Sequence, residues 1–269
     1  MPTFQNITTP ISVHGFGRSG TSLLNDIFYR HPDVFAVGET APIIFECSNG
    51  LEIGLQSCRE RIVNGEILEL RPRTVDAVRR LMCEEFPSTE SHWMHKPIGL
   101  SACVEAKMVS RGVDYAADWY WGIFSDLFPQ SRDILVLRDP IDTIASGARY
   151  WQRSEASVAY ELSLTLKILS RTTLRPLVIR FDELANHPQD SLRRLLAHAE
   201  VDYRDECLES FNFKHSSYVG SFGKMIPEDR SAAEDFKYKS QKLAVEDAVG
   251  SGSMSEIYKL YDDIFEKLS

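Results

Sequence analysis

A glycine-rich turn near the start of the chain has the residue types of an anion-binding loop. The turn reads Gly-Phe-Gly-Arg-Ser-Gly-Thr-Ser over residues 15–22, and it follows the short apolar run Ile11–His14. From Thr21 to Arg30 the apolar residues recur with the spacing of one helical face. A helix that begins at such a turn presents unbonded backbone N–H groups and the positive end of its dipole. The sequence therefore predicts a strand, an anion-binding turn and a helix.

Three interpretations of this turn are open from its spacing. The glycines at positions 15, 17 and 20 fit a dinucleotide-binding fingerprint, with Glu39 at the end of the next strand candidate as the acidic residue. Gly15 and Gly20 also fit a nucleoside-triphosphate loop, except that Thr21 occupies the position of the required lysine. The third interpretation is a tight turn with a hydroxyl helix cap. Arg18, inside a turn already rich in anion-seeking donors, favours phosphate binding, whereas Thr21 argues against a nucleoside triphosphatase.

A second segment places an arginine at a strand end and a serine eight residues later. Asp133–Leu137 is an apolar strand candidate, and Asp139 with Pro140 supplies a helix N-cap and a first helical residue. Arg138 therefore ends the strand, and Ser146 lies two turns into the helix. An arginine offers phosphate oxygens a planar fork of donors, which a helical serine can complete. The spacing predicts a second phosphate clamp.

Short apolar runs alternate with amphipathic helical segments along the chain. The strand candidates are residues 11–14, 34–37, 93–97, 133–137 and 177–179. Continuously apolar strands separated by helices predict an α/β fold with a central, mainly parallel sheet flanked by helices. In such sheets, ligands lie beyond the carboxyl ends of the strands. Because no domain linker or internal repeat is visible, residues 1–269 are predicted to form a single domain.

Longer segments fall outside this alternation. Residues 50–90 and 101–128 are predicted to be helical inserts, whereas 211–240 is predicted to be irregular and Ile257 to Leu268 to be a helix. The second insert carries four aromatic residues: Tyr115, Trp119, Tyr120 and Trp121. Aromatic residues at helical spacing pack in a core more often than they stack on an acceptor.

The turn and the clamp together resemble the signatures of the sulfotransferases that use 3′-phosphoadenosine 5′-phosphosulfate. In Arg18–Leu24, a basic residue precedes Ser-Gly-Thr and a further hydroxyl residue at a helix start, although Gly17 stands where the family commonly has a proline. In Arg138–Ser146, the arginine, the serine, their separation and the intervening Asp-Pro all match. The resemblance implies a single sulfotransferase domain with a P-loop-like phosphosulfate-binding loop and no metal.

The resemblance also implies a set of donor-binding residues. The 5′-phosphosulfate would be held by the turn: Ser19, Gly20, Thr21 and Ser22. Arg18 would neutralise charge on the leaving phosphate as the S–O bond breaks. Arg138 and Ser146 would clamp the 3′-phosphate. A C-terminal loop with Ser221 and Lys224 is expected to close over the nucleotide, the alternative being a solvated basic loop.

The residues that would carry out the transfer come from two other strand ends. Residues 31–40 resemble the segment that carries a glutamate base in the tyrosylprotein and Golgi carbohydrate branches, which implies Glu39 as the base for the acceptor proton. Lys96 matches a lysine that points at the sulfuryl group. The cytosolic steroid and phenol branch has a catalytic histidine here, which makes His95 the alternative base. Successive strand residues point to opposite faces, so His95 and Lys96 are not both expected in the site, and an interior, hydrogen-bonded His95 is equally open.

Composition and charge restrict the partners. Lys and Arg number 30 against 39 Asp and Glu, a net charge of −9, which argues against a broad nucleic-acid-binding surface. No apolar run is long enough for a membrane span and no signal peptide is visible, so we expect a soluble, cytoplasmic protein without membrane insertion. Five widely spaced cysteines with no CxxC pair predict neither a disulfide framework nor a zinc site.

The expected function is transfer of a sulfuryl group from 3′-phosphoadenosine 5′-phosphosulfate (PAPS) to a hydroxyl or an amine of a small-molecule or saccharide acceptor. The nucleotide product would be 3′-phosphoadenosine 5′-phosphate (PAP). A P-loop phosphoryl transferase, which would require Mg²⁺, is one alternative. A catalytically silent nucleotide-binding protein on the same fold is another. The identity of the acceptor and the formation of a homo-oligomer are left open.

Overall fold

Five short strands form one sheet. They are β1 Ile11–His14, β2 Val34–Glu39, β3 His92–Lys96, β4 Arg132–Leu137 and β5 Leu177–Arg180. The computed structural model describes residues 9–59, 75–80, 92–98, 102–211 and 232–268 of the chain. The strands lie in the order β2-β3-β1-β4-β5, and all of their pairings are parallel. The α/β fold with a central parallel sheet is therefore confirmed.

Helices connect the strands and extend the chain beyond the sheet. Those of the described residues are α1 Thr21–Tyr29, α2 Cys47–Arg59, α3 over 75–80, α4 Ala102–Arg111, α5 Val113–Leu127, α6 Pro140–Trp151, α7 Glu155–Leu169, α8 Phe181–Asn186, α9 Pro188–His198, α10 Ala232–Val249 and α11 Ser251–Leu268. A π-helical turn, Pro42–Glu46, precedes α2, and a 3-10 helix, Asp205–Phe211, follows α9. None of the described helices has the length and apolar character needed to cross a lipid bilayer.

The sheet separates two parts of the hydrophobic core. Ile134 and Val136 pack with α1 and α9 on one face, whereas Leu135 and Leu137 pack with α5, α6 and α7 on the other. This division follows from the alternation of side chains along a strand. Helices α10 and α11 contact α6 and α7 on the second face. Both faces of the sheet are thus covered, as the continuously apolar strands predict.

The strand order creates a crevice at the carboxyl ends of β1 and β4. From β1 the chain moves to β2 and β3 on one side, and it then crosses to β4 on the other side of β1. The helices after β1 and β4, α1 and α6, consequently cover opposite faces of the sheet. Parallel sheets bind ligands where neighbouring connections diverge in this way. The turn after β1 and the segment after β4 border this crevice, and they are the two segments that the sequence predicts to bind phosphate groups.

The structure extends or corrects several expectations from the sequence. Strand β2 continues beyond the predicted run 34–37 to Glu39. The prediction of an irregular stretch over 211–240 is wrong for residues 232–240, which are helical because Ala, Glu and Lys favour a helix there. The insert 101–128 is helical in its described part, as predicted. Its residues Trp119, Tyr120 and Trp121 are buried, so they belong to the core rather than to an exposed acceptor platform.

Candidate functional site

The turn after β1 ends in a helix N-terminus with unused backbone donors. Gly20 is the N-cap of α1, and its carbonyl oxygen accepts hydrogen bonds from the N–H groups of Leu23 and Leu24. No described residue accepts a hydrogen bond from the N–H groups of Thr21 and Ser22. Donors of the first helical turn are the groups that bind an anion at a helix N-terminus. The turn therefore offers the donor set that its sequence predicts.

The backbone of this turn requires a glycine at its last position. Gly20 has a φ of +108°, and a Cβ atom at this position would lie 2.5 Å from Cδ2 of Phe181. A larger residue would be strained by the left-handed backbone and would collide with a ring. The close approach of Phe181 thus brings the start of α8 against the N-terminus of α1.

Ser19 holds the shape of the turn. Its side chain is buried, and its hydroxyl donates to the carbonyl oxygen of Phe16 at 2.6 Å and lies 3.3 Å from that of Val136. Its backbone N–H also donates to Phe16, at 3.2 Å. These bonds tie the turn to itself and to β4. In this structure the Ser19 hydroxyl is directed at backbone carbonyl oxygens. The backbone N–H groups of Thr21 and Ser22 have no such acceptor among the described residues.

Arg138 reaches the turn from the end of β4. Its Nη1 donates to the carbonyl oxygen of Arg18 at 3.4 Å, and its guanidinium lies 4.8 Å from the ring centre of Phe181. Its Nη2 lies 3.6 Å from Oδ2 of Asp142. The Nε atom is buried and has no hydrogen-bond partner among the described residues. A buried donor without an acceptor is costly, and an oxyanion seated beside the turn would satisfy it.

The helix after Arg138 is fixed through both oxygens of its N-cap. Oδ1 of Asp139 accepts a hydrogen bond from the N–H of Asp142 at 3.1 Å, as expected for an N-cap aspartate. Oδ2 accepts a hydrogen bond from the hydroxyl of Tyr258, in α11, at 3.0 Å. The C-terminal helix therefore helps to hold the start of α6, which carries Ser146.

The side chain of Arg18 lies against α6. Its Nε donates to Oγ of Ser146 at 3.3 Å, and its guanidinium lies 4.4 Å from the ring centre of Tyr150. Arg18 has a φ of +73°, which is unusual for a residue with a side chain. Burial lowers the pKa of Arg18, and the positive charges of Arg138 and Arg149 lower it further against the opposing effect of Tyr150. Arginine remains charged at neutral pH, so positive charge accumulates here.

Glu39 and Lys96 form a second group of charged side chains, at the ends of β2 and β3. Nζ of Lys96 lies 3.3 Å from Oε1 of Glu39, and the two residues are register partners. The register shifts between Ala36 and Gly38, so the strand carries a bulge just before Glu39. Gly38 has a φ of +91°, which permits the bulge. Without the bulge, Gly38 rather than Glu39 would lie beside Lys96.

His95 lies in the core and not at this edge. Its Nδ1 is 2.7 Å from Oγ1 of Thr40, and its Nε2 is 2.8 Å from Oγ of Ser12. The side chain is fully buried, and its ring stacks on Phe124. Burial lowers the pKa of His95 well below its ordinary value, and the charge of His14 adds to this effect. The structure therefore brings Glu39 and Lys96 together and places His95 on the opposite face, with both ring nitrogens occupied.

Two residues predicted to contact the nucleotide cannot be placed, and several residues of the site were not predicted from the sequence. Ser221 and Lys224 lie outside the described residues. Sequence reasoning did not single out Gly38, although a glycine inside a strand pattern is a known signal for a bulge. It also missed Tyr150, which follows Ser146 by one helical turn and therefore shares its face. Phe181 and Tyr258 carry no local signal, because their contacts are made only in the folded chain.

The arrangement combines two kinds of chemistry at one edge of the sheet. The turn and the guanidinium groups of Arg18 and Arg138 offer donors and positive charge to a ligand with more than one phosphate-like group. Glu39 and Lys96 offer a carboxylate and an ammonium group at the ends of β2 and β3, the latter being the direct neighbour of β1. Within the described part of the chain, no group of three or more His, Cys, Asp or Glu side chains is placed to hold a metal ion.

Comparison with known proteins gives one family and a set of structural neighbours. The model of a family described as "Sulfotransferase family" matches residues 10–205. The sulfotransferase domain of the Synechococcus PCC 7002 olefin synthase superposes with a TM-score of 0.53 at 15% identity, over 94% of each chain. A sulfotransferase domain from the curacin biosynthetic pathway superposes with a TM-score of 0.51 at 19% identity, over 89% of this chain and 96% of that one. At these identities the neighbours establish the fold. No curated protein matches the chain significantly.

Proposed function

The chain belongs to the sulfotransferase family, and from this premise we propose that it transfers a sulfuryl group from PAPS to a hydroxyl or an amine of a small-molecule or saccharide acceptor. The observation that carries the proposal is the contact between the two phosphate-binding segments. Nη1 of Arg138 lies 3.4 Å from the carbonyl oxygen of Arg18, so one segment reaches the other across the crevice. A nucleotide with phosphate groups at both its 5′ and 3′ positions can then contact both.

The residues of the crevice fit such a donor. The N–H groups of Thr21 and Ser22 would hold the 5′ end. The Nε of Arg138, which has no partner among the described residues, would donate to the 3′-phosphate together with the hydroxyl of Ser146. The bound donor supplies the sulfuryl group. The protein contributes positive charge and fixed dipoles beside the bridging oxygen, where negative charge develops as the S–O bond breaks.

Glu39 and Lys96 are proposed to act on the acceptor side. Glu39 accepts the proton of the acceptor hydroxyl while that oxygen forms its bond to sulfur and the bond from sulfur to the phosphate oxygen breaks. Lys96, whose side chain is 3% exposed, presents a fixed ammonium group to the migrating sulfuryl oxygens. Glu39 is 63% exposed and can reach an acceptor that enters from solvent. The acceptor would thus be deprotonated and the transferred group stabilised by neighbouring side chains.

The test is nucleotide binding followed by transfer. The wild-type chain should bind PAP far more tightly than adenosine 5′-phosphate, and Arg138→Ala should abolish this preference. Incubation with PAPS and a panel of acceptors should then add one sulfuryl group to an acceptor, as detected by mass spectrometry. Equal affinity of the wild type for the two nucleotides would count against the proposal. Mg²⁺-dependent consumption of ATP would instead favour a phosphoryl transferase, and tight binding without turnover a silent nucleotide-binding protein.

We propose that residues 1–269 form one sulfotransferase domain, since the sheet draws strands from both halves of the chain and α11 packs against α6 and α7. We also propose a cytoplasmic location and an acceptor other than nucleic acid, the latter in keeping with the net charge of −9. Fractionation of the source cells and size-exclusion chromatography of the purified chain would test location and oligomeric state.

A further inference from the structure

The contacts of the Arg18 side chain do not match the role that the family resemblance implies for it. By resemblance Arg18 would neutralise the leaving 5′-phosphate, yet its Nε donates to Ser146, a residue of the opposite phosphate clamp. Its guanidinium lies over the ring of Tyr150, on the same helix as Ser146. Both contacts place the side chain of Arg18 against α6.

We propose that Tyr150 is a positioning residue that holds Arg18 at the 3′-phosphate end of the donor site, so that Arg18 acts in recognition of the 3′-phosphate. The inference rests on the proposed function, because it assigns residues to one end of the same nucleotide. Tyr150 follows Ser146 by four residues and therefore projects from the same face of α6. Arg18 contacts both members of this pair at once.

The hydrogen bond between Arg18 and Ser146 is compatible with phosphate binding by both residues. A hydroxyl oxygen can accept one hydrogen bond while its own hydrogen is donated elsewhere. Ser146 accepts from Nε of Arg18 at 3.3 Å, which leaves its O–H for a phosphate oxygen. The guanidinium of Arg18 carries two terminal NH₂ groups in addition to Nε. Arg18 would therefore supply additional donors to an anion that Ser146 binds.

The surrounding charges favour a highly charged ligand at this end. The guanidinium groups that act on Arg18 are those of Arg138 and Arg149, and both make its positive charge less favourable. Among the described residues Arg138 has one acidic partner, Asp142, at the long distance of 3.6 Å, and Arg18 has none. A phosphate monoester carries a charge of about −1.5 to −2 at pH 7 and would relieve this repulsion.

Tyr150 stabilises Arg18 in this orientation without contributing to the core. Its side chain is 57% exposed, so its removal is not expected to unfold the chain. A cation over an aromatic ring contributes about 0.5–1 kcal/mol at an exposed site and more when desolvated. Loss of the ring should therefore let Arg18 leave Ser146 for part of the time. Affinity would fall for a nucleotide with a 3′-phosphate but not for one that lacks it.

The experiment compares the affinities for PAP and adenosine 5′-phosphate in Tyr150→Leu, Tyr150→Phe and the wild type by isothermal titration calorimetry. Tyr150→Leu should reduce the ratio of the two affinities by about two- to fivefold. Tyr150→Phe keeps the ring and should retain most of the ratio. Tyr160→Leu replaces a similarly exposed tyrosine of α7 and should leave it unchanged.

Two outcomes separate the inference from the function on which it rests. If the wild type binds both nucleotides equally, the proposed function fails. If the wild type prefers PAP and Tyr150→Leu keeps the full preference, only the inference fails. Arg18→Lys and Arg18→Ala should likewise lower the ratio, and Tyr150→Leu should add nothing in an Arg18→Ala background. Arg18 variants that lose turnover but keep the wild-type ratio would instead assign Arg18 to the leaving phosphate.

Discussion

Lys96 and Glu39 meet at the carboxyl ends of two neighbouring strands, with Nζ 3.3 Å from Oε1, although 57 residues separate them in the chain. The pair is asymmetric, because the Lys96 side chain is 3% exposed and that of Glu39 is 63% exposed. Burial fixes the ammonium group, whereas the carboxylate can change its partner. This asymmetry suits a reaction in which the lysine stabilises charge at one place and the glutamate receives a proton from an arriving molecule.

Replacement of the proposed base should separate binding from turnover. Glu39→Gln keeps the size of the side chain and its hydrogen bond to Lys96, but it removes the proton acceptor. We expect turnover to fall by about 100-fold or more, the usual contribution of a general base, with the affinity for PAP nearly unchanged. Steady-state kinetics and calorimetric titration with PAP would measure the two effects.

The matched control for this substitution is Glu200→Gln. Glu200 is also an exposed glutamate in an ion pair, with Arg132 at the opposite end of the sheet, and its loss should leave turnover at the wild-type level. Activity that survives Glu39→Gln would exclude Glu39 as the base and direct attention to His95. The burial of His95 between Ser12 and Thr40 makes that second outcome unexpected.

The bulge in β2 provides a test of how the geometry of Glu39 is set. Gly38→Ala forces a residue with a side chain into a φ of +91°, although among the described residues the atom nearest to the added methyl group, Oδ1 of Asn25, is 4.0 Å away. The strain should cost about 1–2 kcal/mol of stability, or shift the bulge and withdraw Glu39 from Lys96. We therefore expect slower turnover and weaker stability with PAP binding retained, as followed by kinetics and urea denaturation.

A helical glycine serves as the control for Gly38. Gly50→Ala lies in α2, where the backbone is helical and no described atom outside that backbone lies within 4 Å of the added methyl group. Alanine there should stabilise the chain by about 0.5–1 kcal/mol, which is the opposite sign. A Gly38→Ala variant with unchanged stability and turnover would mean that the bulge does not depend on the left-handed backbone.

The elements of the fold with local signals could be predicted from the sequence. The turn 15–22, the strand before Arg138 and the Asp139–Pro140 helix start each follow from neighbouring residues, and each is present. The order of the strands is not a local property. It places β3 between β1 and β2, although its residues lie far along the chain, because burial of the apolar strands decides the pairing.

The candidate site was predictable in its residue types but not in its side-chain directions. The motifs predict that Arg18, Arg138 and Ser146 belong to the site. The contact of Arg18 with Tyr150, however, depends on how α6 packs over the turn. The pairing of Glu39 with Lys96 depends on a one-residue register shift that a strand pattern does not reveal. Contacts between distant segments therefore had to come from the folded chain.

The buried neutral state of His95 should make stability depend on pH. The ordinary pKa of a histidine is 6.5, and burial lowers that of His95 well below this value. Below about pH 6.5 the unfolded chain therefore binds a proton that the folded chain does not, so stability falls as the pH falls. His95→Gln can keep hydrogen bonds to Ser12 and Thr40, but it cannot take up a proton.

Urea denaturation of the wild type and His95→Gln at a series of pH values would measure this effect. We expect the wild type to have a higher free energy of unfolding than His95→Gln near pH 7.5. As the pH falls below about 6.5, this difference should shrink by up to about 1.4 kcal/mol per pH unit. His92→Gln should give a smaller change, because His92 is only partly buried although burial also lowers its pKa. A difference that stays constant over the whole pH range would contradict a neutral, buried His95.

The hydrogen bond from Tyr258 to Asp139 predicts that α11 contributes to nucleotide binding. Asp139 is the N-cap of α6, which follows Arg138 and carries Ser146. Helix α11 lies outside residues 10–205, the part of the chain that matches the family model. Tyr258→Phe removes one hydrogen bond and should cost about 1 kcal/mol of stability. Because the start of α6 is then less well fixed, the affinity for PAP should fall more than that for adenosine 5′-phosphate.

Tyr261 is a buried tyrosine of the same helix, and the centre of its ring lies 5.2 Å from that of Phe265. Tyr261→Phe is therefore the control that distinguishes an effect on the phosphate clamp from an effect on the packing of α11. It removes a hydroxyl that makes no hydrogen bond to Asp139, so it should change thermal stability but not the ratio of the two nucleotide affinities. If Tyr258→Phe and Tyr261→Phe alter stability alike and both keep the wild-type ratio, α6 holds Arg138 and Ser146 in place without help from the C-terminal helix. A ratio that falls only in Tyr258→Phe would assign to α11 a part in binding the donor, because the Tyr258 hydroxyl donates to the N-cap of α6.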